Sequence, residues 1–62
     1  MELMEYYYWF ETDYGCEGGF VSAGSLHAAR KLVVEKHPKD VGSDGFIEDS
    51  FGSEHYLWEG VE

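Results

Sequence analysis

Positive charge is the scarcest resource in this chain. Its 62 residues include four Lys and Arg against thirteen Asp and Glu, a net charge of −9. Arg30, Lys31, Lys36 and Lys39 all fall within ten positions, so the segments on either side carry acids alone. Affinity for nucleic acid comes mainly from Lys and Arg neutralising phosphates, so direct binding to DNA or RNA is disfavoured. Anionic membrane surfaces are disfavoured on the same ground. A single cysteine, Cys16, excludes an internal disulfide. No apolar run reaches the length that spans a bilayer. The opening Met4-Glu5-Tyr6 has no basic stretch leading into an apolar one, so no signal peptide is expected. A cytoplasmic, reducing compartment is the expected location.

Aromatic residues are abundant: five Tyr, four Phe and two Trp. Each buries roughly 150–250 Å² when enclosed. That density matters, because a chain near 60 residues buries only about 60% of the surface its unfolded form exposes. A hydrophobic fraction of 44% argues for a folded chain despite the charge. One domain covering residues 1–62 is expected.

Residues 4–12 (MEYYYWFET) give the strongest strand signal, aromatic-rich and free of Gly and Pro. Alternation places Met4, Tyr6, Tyr8 and Phe10 on a core face and Glu5, Tyr7, Trp9 and Glu11 on the other. Residues 13–18 read as a turn in which Gly15 and Gly18 are free to adopt positive φ. Residues 19–23 return as a second strand, with Val21 and Ala23 inward and Phe20 and Ser22 opposite, or the reverse. Ser25 caps a helix over 26–36, whose Leu26, Ala29, Leu32 and Val33 share a face, and Pro38 stops it. After a loop over 39–45, strands are expected at 46–51 and 55–59, joined by a turn at 52–54. Ile47 with Phe51 and Tyr56 with Trp58 are the expected inward groups.

The order β-β-α-β-β defines an α+β fold. A crossover through the helix sets the third strand beside the first. The result is a four-stranded antiparallel sheet, spatial order 2-1-3-4, with one helix on one face. The uncovered face would then present Glu5, Tyr7, Trp9 and Glu11. An exposed Tyr and Trp patch marks an interaction surface, and these are the usual interface anchors. Glu48, Asp49, Glu54 and Glu59, from the third and fourth strands, complete the candidate set.

Chemistry beyond binding finds no support in the pattern. Cys16 stands beside the acidic Glu17 with no basic residue close in sequence, so nothing in the pattern activates its thiol. Gly15-Cys16-Glu17-Gly18-Gly19 is followed by no Lys-Ser or Lys-Thr, so it is no phosphate loop. His27, His37 and His55 occur in no metal-ligand spacing, and residues 40–45 lack the alternating oxygens of a calcium loop. No enzyme activity, metal or cofactor is expected. Arg30 and Lys31 are expected to pair with Glu35 or with sheet carboxylates, at little energetic gain.

The small size, the acidity, the lone cysteine and the β-β-α-β-β order, with Glu5, Glu11, Asp44, Glu48, Asp49, Glu54 and Glu59, resemble small acidic phage-encoded anti-defence proteins, the anti-CRISPR and DNA-mimic type. That resemblance implies an inhibitor that occupies a nucleic-acid channel of a host enzyme. On one strand, carboxylates at i and i+2 stand about 6.6 Å apart. Phosphates lie about 3.4 Å apart along one DNA strand, so neighbouring strands would have to supply intervening charge. The sequence therefore leads to an acidic binding protein, an inhibitor or adaptor for a basic protein surface such as that of a nucleic-acid-processing enzyme. The alternative is a homodimeric structural or accessory protein with a self-complementary aromatic sheet face.

Overall fold

The computed structural model describes residues 2–61. Strand β1 (Met4–Thr12) pairs antiparallel with β2 (Gly15–Ala23) on one side and β3 (Gly45–Glu48) on the other, and β4 (Glu54–Tyr56) extends the sheet from β3. The order is β2-β1-β3-β4, with helix α1 (Leu26–Lys36) between β2 and β3 in the chain. This is the α+β arrangement that the strand and helix patterns lead to. No helix among the described residues is long and apolar enough to cross a membrane.

The alternation of β1 is realised as a two-sided central strand. Tyr6, Tyr8 and Phe10 are buried with Val21 and Ala23 of β2, Ala29 and Val33 of α1, Ile47 of β3, and Leu57 and Trp58 beyond β4. The Ser25 hydroxyl accepts a hydrogen bond from the Ala28 N–H at 3.1 Å, which satisfies one of the free donors of the helix start. His37 closes the other end, its N–H donating to the Val33 carbonyl at 2.8 Å.

Several boundaries differ from those the sequence suggests. β2 begins at Gly15 rather than Gly19, so the β1–β2 connection is only Asp13 and Tyr14. Thr12 Oγ1 accepts from the Tyr14 N–H, and Gly15 takes a φ of 131°. Gly18 is not a turn residue at all. It lies opposite Trp9, where a Cβ would come within 2.4 Å of the Tyr8 carbonyl oxygen, so the strand needs a residue without one. β3 ends at Glu48, and Phe51 is 84% exposed on the turn instead of packing inward. β4 stops at Tyr56, which faces outward; Leu57 and Trp58 then turn in and are fully buried. The Trp58 indole N–H donates to the Ser43 carbonyl at 2.7 Å, tying this terminal turn to the loop after α1.

Arg30 departs most from expectation. It is buried, and its Nε and Nη2 both donate to the Tyr56 carbonyl, at 3.1 and 2.7 Å. The helix thereby satisfies the last carbonyl of β4 with a charged, two-pronged donor. Glu59, 3.7 Å from Nη2, supplies the countercharge, and Glu35 does not.

Gly45 marks the tightest approach in the core. A Cβ there would lie 2.7 Å from both Phe10 Cβ and the Trp9 carbonyl oxygen, and 3.1 Å from Leu57 Cδ2. Gly45→Ala is expected to destabilise the protein by about 1–3 kcal/mol, as overpacking does. A lower midpoint of urea unfolding checks it; an unchanged midpoint contradicts the packing described.

Candidate functional site

Residues directly opposite on antiparallel strands share a face. The register therefore assembles the side of the sheet away from α1. Tyr7 stands opposite Phe20 on β2 and Glu48 on β3. Trp9 stands opposite Gly18 and Phe46, and Phe46 in turn opposite Tyr56 of β4. Glu48 faces Glu54, Glu5 faces Ser22, and Glu11 faces Cys16.

The outcome is a belt of rings running diagonally across all four strands: Phe20, Tyr7, Trp9, Phe46 and Tyr56. Tyr7 and Phe20 have ring centroids 5.1 Å apart and Trp9 and Phe46 5.5 Å apart, both tilted, within the favourable range for aromatic pairs. Trp9 is half-buried by its neighbours, while Phe20 is 61% exposed and Tyr7, Phe46 and Tyr56 each about two-fifths exposed. Single exposed hydrophobics are ordinary, whereas a contiguous belt of this kind is uncommon on a monomeric protein.

Carboxylates border the belt. Glu5, Glu48 and Glu54 lie toward one end and Glu11 toward the other. Glu48 and Glu54 are directly opposed, a like-charge arrangement that destabilises a sheet unless a cation relieves it. No residue that the register places on this face is basic. Among the described residues the ion pairs are Arg30–Glu59, His37–Glu17 and His55–Asp49, and none involves a carboxylate of the face.

Of the residues singled out from sequence, Glu5, Tyr7, Trp9, Glu11, Glu48 and Glu54 share this surface. Asp49 and Glu59 do not. Asp49 lies just past β3, where Oδ1 accepts from the backbone N–H groups of Phe51 and Ser53 and Oδ2 pairs with His55 Nε2 at 3.0 Å. It shapes the β3–β4 connection. Glu59 is on the helix side, beside Arg30. Phe20, Phe46 and Tyr56 belong to the belt and were not among the candidates. Placing Ile47 inward already sets Phe46 outward, so parity could have identified it. Tyr56 could not be placed without knowing that the strand ends there.

Searches of protein-family models, curated proteins and solved structures find no match to this chain. The functional reading therefore rests on the geometry alone.

The hydrogen bond from His55, with those from Ser53 and Phe51, holds the Asp49 carboxyl below its ordinary value of 3.8. A depressed carboxylate stabilises the fold above that value, and the contribution disappears as pH falls through the lower folded-state value. Asp49→Ala should lower the urea midpoint at neutral pH, and the gap to the natural protein should narrow below pH 3.8. A gap independent of pH would show that the charge is not what matters.

Proposed function

We propose that this protein is a non-catalytic binding protein, an inhibitor or adaptor, whose uncovered sheet face engages a basic surface of another protein. The observation that carries the reading is the aromatic belt bordered by Glu5, Glu48, Glu54 and Glu11, with no basic side chain among the described residues of the same face. Rings of this type are the usual energetic anchors of interfaces. The carboxylates would select a partner carrying Lys or Arg around an apolar patch and steer its approach.

Charge distribution also favours this reading over self-association. A two-fold pairing of this face would present the same patch to itself. Carboxylates of one copy would then meet rings or carboxylates of the other, with no basic group on either side to offset them. The homodimer is thus the weaker reading. Literal mimicry of a nucleic-acid backbone is weaker too. Glu5 and Glu11 are six residues apart on one strand, about 20 Å at the usual rise, and rings occupy the interval. Phosphates follow one another at about 3.4 Å. A partner such as a nucleic-acid-processing enzyme fits where its basic surface also offers apolar pockets.

The test compares variants on opposite sides of the molecule in affinity capture from the native host. Tyr7→Ala with Phe46→Ala, and separately Glu5→Lys with Glu54→Lys, should each lose the protein that the natural chain retains, while circular dichroism stays unchanged. Lys31→Glu with Lys36→Glu, on the helix, should retain it. Capture that survives the sheet-face changes, or fails on the helix-face change alone, would overturn the proposal.

A further inference from the structure

At the end of the sheet where β1 turns into β2, a side chain of β2 converges with two from the end of α1 and the loop just after it. Glu17 projects from β2 opposite Phe10, His37 caps the end of α1, and Asp40 follows in the loop to β3. One ligating atom from each lies within 4.8 Å of the other two. We infer that Glu17, His37 and Asp40 form a binding site for a divalent transition ion of the zinc class, independent of the aromatic sheet face.

The geometry of His37 supports this beyond mere proximity. Its Nε2 shares a 3.0 Å hydrogen bond with the hydroxyl of buried Tyr8, and its ring lies edge-on to Phe10 at 4.9 Å. The imidazole is therefore oriented from behind, as ligating histidines usually are by a partner on the remote nitrogen. When Nε2–H donates to Tyr8, Nδ1 is left unprotonated, with its lone pair free for an ion. The distance from Nδ1 to the Glu17 carboxylate oxygen is 3.5 Å. Two ligands of a tetrahedral zinc with bonds of about 2.0–2.1 Å are separated by about 3.4 Å. The pair thus already stands at the spacing that a shared ion requires.

The loop holds the third ligand in place. The Asp40 N–H donates to the His37 carbonyl at 3.1 Å, and the Ser43 N–H to the Asp40 carbonyl at 3.0 Å. Two carboxylates match the charge of a divalent ion, and the end of a helix favours a cation. An open cleft of about 350 Å³, lined by Thr12, Asp13, Tyr14 and Cys16 together with Glu17 and Asp40, gives solvent access. No basic residue lines it; Lys39 borders the neighbouring cleft.

The donor set selects the ion. Imidazole suits zinc, copper, iron and nickel, whereas calcium and magnesium sites are built from oxygen. Three protein ligands beside an open cleft leave a coordination position for water or for a group from another molecule, unlike a closed structural site. An ion here would also join β2 to the segment leading into β3.

Zinc titration of the metal-free chain by calorimetry, with cobalt absorption as a second readout, tests the assignment. One ion per chain is expected, with a rise in Tm under saturating zinc, since binding to the folded state alone stabilises it. Glu17→Gln and Asp40→Asn, both conservative changes, should each weaken binding by more than about tenfold, the loss that even an outer-shell partner can cause. Their metal-free Tm should match that of the natural chain. Cys16→Ser should leave the affinity unchanged, because the thiol is not among the three ligands. Failure to saturate with zinc would overturn the site and leave a plain His37–Glu17 ion pair. So would binding that survives both carboxylate changes, or that is lost with Cys16.

Discussion

The ring of Phe10 is where the separate parts of this small protein meet. It is fully buried, lies 5.8 Å from the Trp58 ring and 4.9 Å from that of His37, and runs parallel to Tyr8 at 6.3 Å. Directly across the sheet stands Gly45, whose missing side chain admits both Phe10 and Leu57. The central strand, the end of the helix and the terminal turn are all fitted around this one residue. One face of β1 is sealed by α1 and the segment after β4, and the other is left to solvent.

Sealing one face determines what the other can do. The alternation of β1 assigns Tyr6, Tyr8 and Phe10 to the interior, so Tyr7 and Trp9 must point outward with Glu5 and Glu11. The register then adds Phe20, Phe46 and Tyr56 to the rings and Glu48 and Glu54 to the border. The cations sit elsewhere: Lys31 and Lys36 on the helix, Lys39 in the loop after it, and Arg30 buried against the Tyr56 carbonyl. An aromatic surface in a chain of net charge −9 is thereby left, among the described residues, without a basic side chain of its own.

Local pattern made much of this legible. The two-residue period of β1, the serine cap and the proline stop each act through nearest neighbours, and the strand and helix they define are those observed. What depended on distant partners was not legible. Gly15 to Gly18 look like a turn because nothing in them favours a strand, yet pairing with β1 holds them extended. Phe51 and Tyr56 look like core residues, but Leu57 joins the expected Trp58 in the interior because the chain turns after Tyr56. Asp49 and Glu59 look like surface acids of the same kind as Glu54. His55 and Arg30, groups brought to them by the fold, claim both. The convergence of Glu17 with His37 and Asp40 has no counterpart in spacing, since the sheet and the helix end bring them together across the chain.

In the function proposed, the carboxylate border keeps the aromatic belt from closing on itself and reserves it for a basic partner. Sedimentation equilibrium at neutral pH tests it without knowledge of that partner, by comparing the natural chain with one carrying Glu5→Gln, Glu48→Gln and Glu54→Gln. The account predicts a monomer for the natural protein at micromolar concentration and association of the neutralised one through its exposed rings. A natural protein that is already a dimer under those conditions, or a neutralised one that remains monomeric, would contradict it.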